Sequence, residues 1–174
     1  MGTRPSIDQT QYLTFHLAGE EYAVGILKVK EIIAYGTLTV VPHTPPSIRG
    51  VINLRGNVVP VVDLAIKFGL DPSSITPRTC IVIVEVELDG ERTTMGIVAD
   101  SVSQVIELPS SDVLPTPPFG TRVKIDFLHG MGRADNKFFL ILDIDKVLSV
   151  EEAKAHTAFI SVPGKIEPAK EAYR

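Results

Sequence analysis

The stretch at residues 50–64 constrains the fold more than any other part of the chain. It reads as two apolar runs, 51–54 and 58–62, on either side of a turn at residues 55–57. β-Branched side chains dominate both runs, as is typical of strands with a largely buried surface. Glycine at 56 supplies the positive φ of a tight turn, and Asn57 tolerates the same region. The pattern therefore predicts a buried β-hairpin with Arg55 at its tip.

The second half of the chain repeats the pattern of the first. After the hairpin, Asp63 and Gly69 are placed to cap a short helix at its two ends. Gly25 and Gly96 occupy similar places, as do the segments 59–64 and 139–144, roughly 70 to 80 residues apart. We therefore predict two similar β-units, at residues 11–71 and 78–143. Each has about five short strands with turn signals, which indicates two small antiparallel barrels.

Composition predicts the character of the remaining segments. Residues 1–10 are polar, and we expect a disordered N-terminus. Residues 143–155 predict a closing helix with an apolar face. Residues 156–174 mix proline, glycine and charge, and we expect a flexible tail. A chain of 174 residues is one domain or two small domains that share a core, and length alone does not decide.

Charge and cysteine content exclude several classes of function. The net charge of −4 and the sequence pI of about 5.6 argue against nucleic-acid binding and against attachment to an anionic membrane. The single cysteine, Cys80, fits a reducing compartment and reads as a buried strand residue. The N-terminus lacks the apolar segment of a signal peptide, and no run is long enough to span a membrane. We expect a cytoplasmic protein.

The sequence contains no recognisable motif for catalysis, for metal binding or for a cofactor. The four histidines lack metal-ligand spacing, and a lone cysteine does not complete a thiolate site. There is no glycine-rich phosphate loop and no Gly-x-Ser-x-Gly elbow. Asp143 and Asp145 read as helix-capping residues rather than as a cation site. The sequence therefore predicts no enzyme activity, no metal and no cofactor.

Two charged residues stand among apolar strand residues. Glu31 and Arg55 form either an ion pair that fixes the hairpin or two solvated charges on an outer face. The apolar residues near them are either plain core or the wall of a binding groove: Val29, Ile33, Val51, Leu54 and Val58. In the second half, Val102, Leu114 and Phe119 are the candidates. Phe119 follows a proline-rich loop and is either a lid on its own barrel or an exposed anchor.

Several of these segments carry a family resemblance. The motif Gly-Val-Ile-Asn-Leu-Arg-Gly at residues 50–56, followed by Val-Pro-Val-Val-Asp-Leu at 59–64, resembles the signature of CheW-like domains. The match continues at residues 21–32 and 96–98, and it covers about residues 11–155. The resemblance implies a mainly β fold of two five-stranded, SH3-like barrels around a shared hydrophobic groove. It also implies that the strands of each barrel are not strictly consecutive, so that the two halves exchange an end segment.

The resemblance further implies a function. CheW-like domains occur in the coupling proteins of bacterial chemotaxis and in the regulatory domain of the histidine kinase CheA. We therefore expect a non-catalytic adaptor that couples methyl-accepting chemoreceptors to CheA and helps to form rings in the signalling array. The receptor tip would meet the first barrel by helix-in-groove recognition. The expected receptor-binding residues are Val29, Ile33, Gly50, Val51, Arg55, Gly56 and Val58, with the glycines permitting close backbone approach.

The second face would meet the kinase. The expected kinase-binding residues are Val102, Leu114 and Phe119. Two alternatives remain open: a CheW-like module of another chemosensory pathway, with a pilus or other output, or a detached regulatory domain of the CheA type. A small-barrel enzyme or nucleic-acid binder is disfavoured by the acidic charge and by the missing catalytic motifs.

Overall fold

The computed structural model describes residues 9–116 and 123–155 of the chain. Within them, the first half holds strands β1 (Gln9–Leu17), β2 (Glu20–Gly25), β3 (Val29–Ala34), β4 (Ile48–Leu54) and β5 (Asn57–Val62), and helix α1 (Leu64–Lys67). The second half holds β6 (Cys80–Leu88), β7 (Glu91–Ala99), β8 (Ser101–Pro109), β9 (Val113–Leu114), β10 (Leu128–Ala134) and β11 (Lys137–Leu142), then α2 (Ile144–Val147) and α3 (Val150–Ala153). The predicted mainly β fold with short helices is confirmed.

The strands form two curled sheets. Sheet 1 has six strands in the order β8-β1-β2-β11-β10-β9, and sheet 2 has five in the order β3-β6-β7-β5-β4. Most neighbours are antiparallel, but β2 and β11 pair in parallel, and so do β5 and β7. The short β9 makes sheet 1 one strand larger than the predicted five.

The sheets do not follow the two predicted barrel segments, 11–71 and 78–143. Each sheet combines the first two strands of one repeat with the later strands of the other. The link between β2 and β3 is a 3-10 turn, Ile26–Lys28, which spans only about 6 Å. To pair with β1 on the side away from β2, β3 would have to start two strand spacings from β2, a distance of about 10 Å. The chain therefore passes into the other sheet, and the exchange is larger than the end segment that the resemblance implied.

The predicted ends of the fold also need adjustment. β1 begins at Gln9, so the last two residues of the segment expected to be disordered are in a strand. The closing helix expected at 143–155 is two one-turn helices, because Leu148 is extended (φ −90°, ψ 152°) and Ser149 starts a new helix. Ser149 and Glu152 form a reciprocal capping box, which specifies a helix start at that point. Residues 1–8 and 156–174 lie outside the described part.

The central strands of each sheet are apolar on both faces because each sheet is buried on two sides. The largest cluster joins the sheets, with Phe15 and Tyr22 from sheet 1 facing Val84 and Ile97 from sheet 2. A second cluster, which includes Ile83, contains residues of sheet 2 only, and a third contains residues of sheet 1 only. Neighbouring residues of β6 therefore serve different clusters, as the two-residue period of a strand requires. This layering explains the nearly continuous apolar run at residues 80–84.

The hairpin turns share one backbone conformation. In the β4–β5 hairpin, Arg55 (φ 52°) and Gly56 (φ 88°) are both left-handed, as a type I′ turn requires. The sequence pattern assigned Asn57 to this turn, but Asn57 is the first residue of β5. Arg55 takes the left-handed place instead, and the Asn53 side chain accepts a hydrogen bond from the Gly56 amide at 2.7 Å.

Candidate functional site

A groove of about 500 Å³ opens on sheet 2 beside the β4–β5 hairpin. We call it the sheet 2 groove. β5 and β7 pair only at Val61–Gly96 and Val62–Ile97, and Pro60 has no N–H with which to extend that ladder. Its apolar lining is formed by Leu54, Val58, Val59, Pro60 and Ile83, and its polar lining by Lys30, Glu31, Arg55, Asn57, Glu91, Arg92, Thr93 and Thr94. An apolar floor with a polar rim is the arrangement expected for protein recognition.

Glu31 and Arg55 form a bidentate ion pair at the rim of this groove. The guanidinium donates to the two carboxylate oxygens at 2.5 and 2.8 Å. Glu31 lies on β3, at one edge of sheet 2, and Arg55 follows β4, at the opposite edge. The pair therefore bridges the two edges of the curled sheet. The hydrogen bond and charge of Arg55, together with the charge of Lys30, lower the pKa of Glu31.

The other expected receptor-binding residues divide into surface and interior. Val58 lines the groove, and Gly56 is exposed at the hairpin tip. Val29 and Ile33 are half-buried against the clusters of the core. Val51 is fully buried, which leaves no side-chain surface for direct contact with a partner.

Gly50 does permit a close backbone approach, but the segment that approaches it is residues 38–39 of the same chain. A Cβ at this position would lie 2.6 Å from the carbonyl oxygen of Thr39, closer than real contacts allow. Thr39 bridges to Val51 through two backbone hydrogen bonds of 3.0 and 2.8 Å. Gly50 is therefore explained by packing between residues 38–39 and β4.

A smaller groove of about 260 Å³ lies at the equivalent place on sheet 1. We call it the sheet 1 groove. It is lined by Glu20, Glu21, Met131, Phe138, Phe139 and Leu140. It lies beside the β10–β11 hairpin and β2, as the sheet 2 groove lies beside the β4–β5 hairpin and β7. Phe138 is 57% exposed, which makes it the most prominent aromatic surface among the described residues.

The two grooves differ in charge. Lys30, Arg55 and Arg92 accompany two glutamates around the sheet 2 groove. The charged residues among the described lining of the sheet 1 groove are Glu20 and Glu21, both acidic. A partner with a basic rim is favoured at the sheet 1 groove, and a partner of mixed charge at the sheet 2 groove.

Two of the three expected kinase-binding residues lie in strands of sheet 1. Val102 is half-buried at the start of β8 and packs against the largest cluster, which joins the two sheets. Leu114 lies in β9 and pairs with Met131, which lines the sheet 1 groove. Val102 and Leu114 therefore lie on β8 and β9, the two edge strands of sheet 1. Phe119 lies outside the described residues.

Sequence reasoning missed one wall of each groove. It did not select residues 91–94 of β7 or Phe138 of β11 as candidates. A signal was available, because the alternation of β11 places Phe138 on the side opposite the buried Phe139. The β7 residues follow a turn and carry polar side chains, which by themselves indicate only an ordinary exposed strand end.

The described part of the chain has neither a candidate metal cluster nor a candidate membrane-spanning helix. Residues 9–116 and 123–155 contain no group of three or more His, Cys, Asp or Glu residues that could hold a metal ion. Within the same residues, no helix has the length and apolar character needed to cross a bilayer.

The architecture defines a class of protein: a two-sheet β module with a groove on each sheet. Comparison with known proteins gives the family. The profile of the CheW-like domain matches residues 11–152. "Chemotaxis protein CheW" of Klebsiella aerogenes is 38% identical over 142 residues, which cover 82% of this chain and 83% of that protein. "Protein FrzA" of Myxococcus xanthus is 30% identical over 149 residues, covering 84% and 90%.

A solved structure agrees with these relatives. The crystal structure of the scaffolding protein TtCheW from Thermoanaerobacter tengcongensis matches with a TM-score of 0.72 and 31% identity, covering 82% of this chain and 90% of that one. The chain therefore belongs to the CheW-like family. The predicted family and the predicted class of function, a chemotaxis adaptor, are both confirmed by these similarities.

Proposed function

We propose that the chain is a non-catalytic adaptor that holds a chemoreceptor and a CheA-type histidine kinase at the same time. The observation that carries the proposal is the pair of grooves, one on each of two sheets that share a single apolar core. Two grooves on one packed body keep two partners at a constant distance, and the signal passes as a coupled change in their equilibria. Such an adaptor works in the cytoplasm, at the receptor array, through its partners.

The sheet 2 groove is the proposed receptor site. Its apolar floor suits the apolar stripe of a helical hairpin tip, and its rim residues Arg55 and Arg92 suit polar groups beside that stripe. Arg55 is 70% exposed although it pairs with Glu31, so its guanidinium retains donors that face solvent. Of the residues expected from the sequence, Arg55, Gly56 and Val58 form the direct surface in this proposal, and Val29, Ile33, Gly50 and Val51 support it from within.

The sheet 1 groove is the proposed kinase site. Phe138 is the proposed anchor, because exposed aromatic side chains are typical centres of binding energy. Leu114 supports the groove through its pairing with Met131. The partner surface is the regulatory domain of the kinase, and repeated contacts of this kind between CheW-like domains would build rings.

A two-partner titration tests the proposal. The purified chain is saturated with a receptor cytoplasmic fragment, and its affinity for the isolated kinase regulatory domain is then measured by calorimetry. We expect a ternary complex in which both partners are bound at the same time, since the grooves lie on different sheets. Competition between the two partners would contradict the two-groove adaptor.

A second function follows from one relative. The similarity to FrzA favours the alternative of a CheW-like module in another chemosensory pathway. The same titration separates the two functions if receptor fragments and kinase domains of both pathways are used. Tight binding to only one set identifies the pathway that the chain serves.

A further inference from the structure

One buried carboxylate connects the last described helix to the β4–β5 hairpin. Glu152 of α3 is only 2% exposed. One of its oxygens accepts a hydrogen bond from the Lys67 ammonium at 2.5 Å, and the other accepts one from the Ser47 hydroxyl. A buried charge persists only where donors satisfy it, so these contacts hold α3 firmly in place.

The two donors flank the hairpin on either side. Ser47 directly precedes β4, and Lys67 ends α1, which follows β5. The carbonyl of Ser47 also accepts a hydrogen bond of 2.7 Å from the Asp63 amide, which closes the base of the hairpin. Glu152 therefore ties together the segment that enters the hairpin and the helix that leaves it.

The other end of the hairpin forms part of the sheet 2 groove. Leu54, Arg55 and Val58 are at or near the tip, roughly 20 Å from the base at the rise of a strand. A rotation of about 5° at the base would move the tip by about 2 Å, enough to displace Arg55 from Glu31. The geometry of the groove thus depends on how firmly the base is held.

The β10–β11 hairpin of sheet 1 lacks this arrangement at the equivalent position. Its base is closed by a similar backbone hydrogen bond, from the Asp143 amide to the Phe127 carbonyl at 2.9 Å. The residue in the place of Ser47 is Phe127, whose apolar side chain has no hydroxyl to donate and packs against the largest cluster. Among the described residues, a buried carboxylate therefore holds the base of the sheet 2 hairpin but not that of the sheet 1 hairpin.

We propose that Glu152 is a positioning residue for the sheet 2 groove, acting through Ser47 and Lys67 at the base of the hairpin. The inference deepens the proposed function, on which it rests for the identity of the partner. Any event that displaces α3 would therefore loosen the hairpin that shapes the receptor site and weaken receptor binding.

Hydrogen exchange and binding test the inference together. In Glu152→Gln, which keeps the volume and an acceptor oxygen but removes the charge, we expect amides of residues 51–62 to exchange about tenfold faster. Amides of residues 128–142, in the β10–β11 hairpin, should be unchanged. Receptor-fragment affinity should fall about tenfold, with kinase-domain affinity unchanged. Ser47→Ala, a smaller change that removes one donor, should act in the same direction.

Controls separate positioning from a merely structural role. Glu151→Gln lies on the exposed side of the same helix and should leave both exchange and affinity unchanged. Equal acceleration of exchange in both hairpins, or loss of both affinities together, would show general destabilisation and overturn the inference. Unchanged exchange in residues 51–62 would also overturn it. If the wild-type chain binds no receptor fragment, the proposed function fails, and the exchange comparison still decides the role of Glu152.

Discussion

Sheets 1 and 2 are built from equivalent strands, yet their grooves differ. In each sheet a hairpin, β10–β11 or β4–β5, joins an antiparallel strand pair through a short parallel contact. Both hairpins carry a register irregularity near the start, before Gly130 and before Gly50. The differences are at the surface: Phe138 and two glutamates on sheet 1, and Val58 with mixed charges on sheet 2. The two repeats therefore share their interior geometry, whereas the rims of their grooves differ in charge and in exposed apolar surface.

Gly50 and Gly130 show how closely the interiors agree. A Cβ at Gly130 would lie 2.9 Å from the carbonyl oxygen of Leu114, and one at Gly50 would lie 2.6 Å from that of Thr39. In both sheets the segment before the hairpin therefore crosses a strand at a distance that only glycine permits. The constraint comes from backbone packing within the fold, and it applies to each repeat in the same way.

The largest expected effect is on the free energy of unfolding, and it distinguishes two glycines in equivalent strands. A Cβ at Gly96 would lie 2.7 Å from Ile81 Cγ2, whereas a Cβ at Gly25 would meet nothing within 4 Å. Gly96→Ala should lower the free energy of unfolding by about 1 to 3 kcal/mol, because the core must shift to admit the methyl group. Gly25→Ala should change it by less than about 0.5 kcal/mol. Urea unfolding measures both, and equal effects would show that the repeats pack alike here.

The next effect concerns the two grooves as binding sites. Phe138→Ala should weaken binding of the kinase regulatory domain roughly tenfold to thirtyfold, because it removes an exposed aromatic anchor. Receptor binding and stability should change little, since Phe138 is 57% exposed. Calorimetry with both partners measures this.

Val58→Ala is the matched variant for Phe138→Ala, because Val58 has the equivalent place in sheet 2. It should weaken receptor binding several-fold, as expected for lost apolar contact area, and leave kinase binding unchanged. If both substitutions act on the same partner, the assignment of one partner to each sheet is wrong.

A smaller effect is expected from Arg55→Ala. The free energy of unfolding should fall only slightly, because Arg55 is 70% exposed and its ion pair with Glu31 is screened by solvent. Receptor affinity should nevertheless fall a few-fold, because the hairpin tip loses its link to β3. Arg133→Ala, which removes the ion pair between Arg133 and Asp112 on sheet 1, is the control and should leave receptor affinity unchanged.

The smallest effect is a pH dependence. Arg55 holds the pKa of Glu31 below its ordinary value, which is about 4.3. A depressed carboxyl pKa contributes stability that is present above the ordinary value and is lost as the pH falls through the lowered one. The stability difference between wild type and Arg55→Ala should therefore shrink below about pH 4. Carboxyl NMR should show the Glu31 pKa rising in Arg55→Ala, and an unchanged value would contradict the pairing in solution.

Local features of the chain were predictable because they depend on neighbouring residues. The β-branched runs around Gly56 predicted the hairpin, and the recurrence of Gly25 as Gly96 indicated the duplication. Asp63 was recognised as a helix cap, and its carboxylate does accept the Ala65 amide at 3.0 Å. The family followed from motifs of the same kind. Each of these inferences uses periodicity, turn chemistry or capping, which act over a few residues.

The exchange of strands and the roles of particular side chains depend on contacts between distant parts of the chain. Nothing near residues 25–29 indicates that β3 crosses to the other sheet; the short turn excludes a return, and the free edge of β6 accepts the strand. Likewise, Glu152 reads as an ordinary helix glutamate until Ser47 and Lys67 are brought to it from 105 and 85 residues away. Local chemistry therefore specified which strands and turns form, whereas burial of both faces of each sheet decided which strands pair and which charges meet.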